Sequence, residues 1–172
     1  SAGINNKRLS LETDNNFGAY SNLPYIIRTS RQDYTNFYYP GQPNIHGSTD
    51  YEYTEAEGWF DAPFAINPLT PNVPTTISKQ IPTPNAFIAG PDAKVELKVI
   101  GQSNFANAPI NHHLIIQFPE NHIDTLYSGY KTIHIQRNIP VIKLGNTNTH
   151  FSFTLPNDLG ITADRNALSY IE

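Results

Sequence analysis

The stretch Ala93-Lys94-Val95-Glu96-Leu97-Lys98-Val99-Ile100 decides the fold class. Val95, Leu97 and Val99 fall on one side, and Glu96 and Lys98 on the other. A period of two is the mark of a half-buried β-strand. The same rhythm returns three times further along. Leu114, Ile116 and Phe118 share a face within His112–Phe118. In Thr132–Arg137, Ile133, Ile135 and Arg137 oppose Thr132, His134 and Gln136, and Phe151, Phe153 and Leu155 alternate with Ser152 and Thr154. Turn formers separate these runs: Gly101-Gln102-Ser103-Asn104, Pro119-Glu120-Asn121, Ser128-Gly129, Gly145-Asn146 and Pro156-Asn157-Asp158. Strands with no helical pattern between them imply a sandwich or barrel.

Before Ala93 the pattern is looser. Tyr34–Tyr39, Asp50–Tyr53 and Thr75–Gln80 read as strands. Residues 1–33 form an N-terminal segment with early strand structure. Between Pro63 and Pro91 stand seven prolines, which cannot donate to a sheet ladder. This stretch reads as a crossover of the kind a Greek key or jelly roll requires, with a disordered interdomain linker as the competing reading. The expected architecture is one all-β domain over residues 1–172, an antiparallel, jelly-roll-like β-sandwich. Its expected core is Val95, Leu97, Val99, Leu114, Ile116, Phe118, Ile133, Ile135, Phe151, Phe153, Leu168 and Tyr170. Trp59 is expected to pack at one end, and Phe60, Phe64 and Phe87 to be buried beside the crossover.

Composition agrees. With 172 residues the chain suffices for one domain with a proper core. Ten Tyr and nine Phe make it too aromatic for disorder. Net charge is −4 and no basic run exceeds Lys7-Arg8, so nucleic acid is not an expected partner. No apolar stretch approaches membrane-spanning length, so membrane insertion is not expected either. The absence of cysteine removes disulfides, thiolate metal sites and a thiol nucleophile together.

Few constellations carry chemistry. His112 and His113 are adjacent, so on a strand they face opposite ways and cannot share one metal. His112 could join His122 or His134 across neighbouring strands, with Asp124 nearby, as a three-ligand metal site. The expectation is that no metal or cofactor is held and that these are strand-end histidines bonded to turn backbone. No Gly-x-Ser-x-Gly elbow marks a serine nucleophile. Glu52, Glu55, Glu57 and Asp61 read as solvated charges, and Asp158 and Asp164 as turn formers rather than a calcium loop. No catalytic residue is assigned. Exposed aromatics would serve a binding role, and Trp59, Tyr38, Tyr51 and Tyr53 are the candidates.

One further pattern spans Tyr51 to Glu172. It comprises Glu55-Ala56-Glu57-Gly58-Trp59-Phe60, the strand Val95–Ile100 with Gly101-Gln102-Ser103, and Asn111-His112-His113-Leu114-Ile115-Ile116. Asp124-Thr125-Leu126-Tyr127-Ser128-Gly129, Leu144-Gly145-Asn146-Thr147-Asn148-Thr149 and Leu168-Ser169-Tyr170-Ile171-Glu172 follow. It resembles the β-sandwich region that precedes the catalytic domain of gingipain-type cysteine peptidases, and most closely the sortase-like proteins of the type IX secretion system. Asp61 stands where that family has Gly after Trp-Phe, and Ser169 where it often has Asp. The resemblance implies a fragment of a longer bacterial protein, exported to the cell surface or beyond. Its catalytic Cys and His would lie in a later domain. The module would be non-catalytic and would contact neighbouring domains, a partner protein or a glycan. A carbohydrate-binding module and a viral or phage structural jelly roll are the alternatives.

Overall fold

The structure is a computed structural model that describes residues 25–43, 55–105 and 107–172. The strand expected at Asp50–Tyr53, with Tyr51 and Tyr53, lies outside the described residues. Among those residues eleven strands form. The first five are β1 Gln32–Asp33, β2 Phe37–Pro40, β3 Glu57–Phe60, β4 Phe64–Ala65 and β5 Thr75–Pro82. The rest are β6 Ala93–Gly101, β7 His112–Phe118, β8 Asn121–Tyr127, β9 Thr132–Ile139, β10 Asn148–Leu155 and β11 Arg165–Ile171.

Two antiparallel sheets carry the core. One runs β1-β11-β6-β9, with β4 also paired to β11, and the other runs β5-β10-β7-β8. From β4 to β11 the chain therefore visits positions one, eight, three and six in the first sheet, and two, seven, four and five in the second. This is the strand order of a jelly roll, as the alternation and the proline-rich crossover predict. Within that crossover the chain leaves β4 of one sheet, forms β5 of the other, and returns as β6. Within these two sheets, among the described residues, only β7 and β8 are consecutive strands that pair, through a tight turn at Pro119 and Glu120, where Glu120 takes a φ of 61°. Proline presets the first turn position, and a left-handed second position completes a type II geometry.

The inward faces meet as expected for Val95, Leu97, Val99, Leu114, Ile116, Phe118, Ile135, Phe151, Phe153 and Leu168, all buried in one cluster with Leu155, Ile139 and Ile171. Ile133 is half-buried against it.

Three expectations about burial are corrected. Tyr170 does not share the face of Leu168. The register of β11 against β6 slips between them, so Ser169 is an extra residue. A bulge of one residue reverses the alternation. Leu168 and Ile171 then face inward, while Tyr170 turns outward beside Lys98 and His134. Trp59 is the second correction: it is 56% exposed, whereas its neighbour Phe60 is 2% exposed. The third is Phe87, which is 43% exposed and stacks on Tyr25.

β2 and β3 form a separate two-stranded ribbon. Its inner residues Tyr39 and Phe60 pack with Ala56, Tyr130, Ile100 and Ala167 in a second apolar cluster. Ile100 and Ala167 alternate with the interior residues Val99 and Leu168, so the ribbon covers one end of the first sheet's outer face.

Two strand boundaries also differ from expectation. Of the expected strand Tyr34–Tyr39 only Phe37–Tyr39 is strand, while β1 lies before it and Tyr34, between them, turns its ring into the core and donates its amide to the Ser169 carbonyl. β8 had no clear signal in the sequence, because Asn121 and Thr125 reduce the apolar residues of its inward side to Ile123 and Tyr127, while apolar Leu126 stands on its outward side.

Candidate functional site

His112 sits at the start of β7, where the alternation that buries Leu114 and Ile116 turns it inward. Its Nδ1 lies 2.7 Å from Oδ1 of Asp164, and its Nε2 lies 3.0 and 3.1 Å from the carbonyl oxygens of Ser103 and Gly129. The ring thus bridges a carboxylate on one side and two backbone carbonyls on the other. Asp164, just before β11, is a hub rather than a turn former. Its Oδ1 also accepts from Asn166 Nδ2 at 2.7 Å, and its Oδ2 accepts from the backbone N–H of His113 at 3.0 Å. Tyr127 donates its hydroxyl to Asn166 Oδ1 and stacks on the His112 ring, with centroids 4.5 Å apart. Burial, with the Asp164 charge nearby, pushes the Tyr127 phenol well above its ordinary 10. His112, Asp164 and Asn166 are all at most 1% exposed.

A His–Asp pair invites a catalytic reading. Here the nitrogen that would serve as base is closed by two backbone carbonyls, with no hydroxyl before it. The arrangement ties β7, β8, β11 and the Ser103 and Gly129 turns together.

His113 faces the opposite way, as alternation requires. Its Nδ1 lies 2.8 Å from Asp158 and its Nε2 lies 2.9 Å from Asp124. The two carboxylates take opposite edges of one ring, so the three groups do not converge on a point. Burial works against the charged ring, yet the Asp158 and Asp124 carboxylates outweigh it and hold His113 above its ordinary 6.5. A histidine with a raised folded-state value stabilises the fold fully below its unfolded value. That stabilisation fades as pH rises through the folded value. The melting temperature is therefore expected to fall from pH 6 toward pH 8.5 by more in the wild type than in His113→Asn, as read by thermal melts across that range.

The other metal candidates stand apart. His122 bonds Gln117 on the outer face of the second sheet. His134 lies on the outer face of the first, 2.9 Å from Glu96. There Tyr170, His134 and Gln136 all bond Glu96, and those bonds draw its carboxyl down to about 2. His112, His122 and His134 thus point in three different directions, and Asp124 belongs to His113. Among the described residues no group of three or more His, Cys, Asp or Glu is placed to hold a metal ion.

Of the aromatic candidates, the structure brings Tyr38 and Trp59 together. They are direct cross-strand partners in the β2–β3 ribbon, with ring centroids 5.5 Å apart and planes tilted by 60°. Tyr38 is 52% exposed. Alternation puts Pro40 and Glu57 on the same outer face, and the Tyr38 hydroxyl donates to Glu57 Oε1 at 2.6 Å. That bond raises the Tyr38 phenol above its ordinary value. Glu55, at the foot of β3, accepts the backbone N–H of Thr132 at 2.8 Å. The ribbon is anchored from below by Tyr39, whose burial next to Tyr130 pushes its phenol up to about 12.

The hub at Asp164 was not assigned in the sequence. A signal for it existed: a polar Asp-Arg-Asn immediately before an apolar strand, facing a histidine at the start of another. No family model matches this chain, and no curated protein matches it.

Proposed function

We propose that this chain is a non-catalytic accessory and interaction domain of a larger exported bacterial protein of the gingipain-type class. It works through the outer face of the β2–β3 ribbon. One observation carries the reading: Tyr38 and Trp59 stand half-exposed, side by side, on a ribbon that Tyr39 and Phe60 hold to an apolar cluster on its other face. Leaving two large aromatic rings in water has a cost, and rigid exposed aromatics are what contact surfaces use. The buried His112–Asp164 pair is meanwhile spent on holding loops.

The test is binding of the purified chain to envelopes of the bacterium that encodes it. Saturable binding is expected for the wild type, with at least a severalfold loss in Tyr38→Ala/Trp59→Ala. The double variant should melt within about 2 °C of the wild type, because exposed substitutions change stability by only ~0.5 kcal/mol. Absent wild-type binding, or equal binding by the double variant, would overturn the reading.

The jelly-roll strand order favours a second reading, a building block of a viral or phage particle. Symmetric oligomers in sedimentation would support it.

A further inference from the structure

Among the described residues, the outer face of the ribbon is small. It comprises Tyr38, Pro40, Glu57 and Trp59. A stable protein interface takes roughly 20–30 residues a side, so this face alone falls well short of one. Two adjacent rings, tilted by 60° to each other, with a polar rim suit a smaller object with a flat apolar side and hydroxyls at its edge. A pyranose ring fits that description. Its axial C–H groups carry partial positive charge and lie against the negative face of an aromatic ring.

Charge narrows the class. Glu57 lies within the face and Glu55 at its foot, on a chain of net charge −4. Uronic acids, sialic acids and phosphorylated sugars would meet repulsion there. A quaternary ammonium ligand needs a slot between rings, and Tyr38 and Trp59 already touch each other. The platform is also pre-organised. The Tyr38 hydroxyl is held by Glu57, and Tyr39 and Phe60 fix the strands from beneath. Little rotamer freedom is then lost on binding.

We infer that Tyr38 and Trp59 form a platform for a neutral glycan chain, each ring stacking on one sugar of the chain. This inference deepens the contact-surface reading above and rests on it.

Trp59 is the sole tryptophan, so its emission reports directly on the site. The experiment titrates the wild type with neutral hexasaccharides of β-1,4-glucose, β-1,4-xylose, β-1,4-mannose, β-1,4-N-acetylglucosamine and α-1,4-glucose. Hexagalacturonate is the charged control. A saturable blue shift is expected with at least one neutral sugar, with none from hexagalacturonate. Tyr38→Ala should weaken that binding by about tenfold, the loss of one stacked ring. Tyr38→Phe, which keeps the ring, should retain most of it even if Tyr38→Ala folds poorly. Phe87→Ala, at an exposed ring elsewhere, should bind as the wild type does. No shift with any neutral sugar at millimolar concentration, or a stronger response to hexagalacturonate, would overturn the glycan inference. Envelope binding that still depends on Tyr38 and Trp59 would then leave the contact surface standing without the glycan. Loss of both would remove the contact surface as well.

Discussion

Asp164→Ala is expected to destabilise the fold by about 3–5 kcal/mol, since each buried donor left without its acceptor costs about 1–3 kcal/mol. The residue is 1% exposed and accepts three hydrogen bonds, from His112, Asn166 and the His113 amide. Truncation leaves all three donors without an acceptor, and the His112 ring is fully buried. For a domain of this size the loss corresponds to a fall of about 10 °C or more in melting temperature. Asp164→Asn keeps one acceptor oxygen and should fall between the two. Urea unfolding and thermal melts of the three proteins check the order. A loss below about 1 kcal/mol in Asp164→Ala would show that the hub does not hold the loops together.

Phe153→Ala should cost a similar ~3–5 kcal/mol, for a different reason. Phe153 lies in the middle of β10, fully buried, between Ile77 of β5 and Ile116 of β7. Removing its ring opens a cavity where the two sheets face each other, bounded by strands that cannot close over it without breaking ladders. Phe153→Leu refills most of the volume and should cost about 1.5 kcal/mol or less. Denaturant midpoints of the two variants measure the difference. Equal losses in both would mean that the cavity is not the cause.

The residues that announced the fold did so because they repeat. Val95, Leu97 and Val99, or Phe151, Phe153 and Leu155, keep one face apolar through a whole strand, and a sandwich needs little more. The sequence was less legible where a single residue changes the count. Ser169 gives no local hint that it is a bulge, since its effect depends on pairing with β6. Tyr170 was misplaced for that reason. Trp59 and Phe60 are neighbours of similar hydrophobicity, and which one faces inward depends on how β3 pairs with β2 and where the ribbon sits. The adjacency of His112 and His113 did predict opposite faces. Their partners Asp164, Asp158 and Asp124 come from 11 to 52 positions away, and no spacing rule links them.

The order of strands also governs how fast the chain can find its shape. Within the two main sheets, only β7 and β8 are joined by a short turn. Every other ladder waits for segments far apart in the chain, as Phe64 waits for Asn166. Closing such long loops costs entropy before any contact rewards it, and proteins of high contact order fold in milliseconds to seconds rather than microseconds. The Pro119–Glu120 turn is accordingly the natural place for assembly to begin. Substitutions there should retard refolding more than they hasten unfolding.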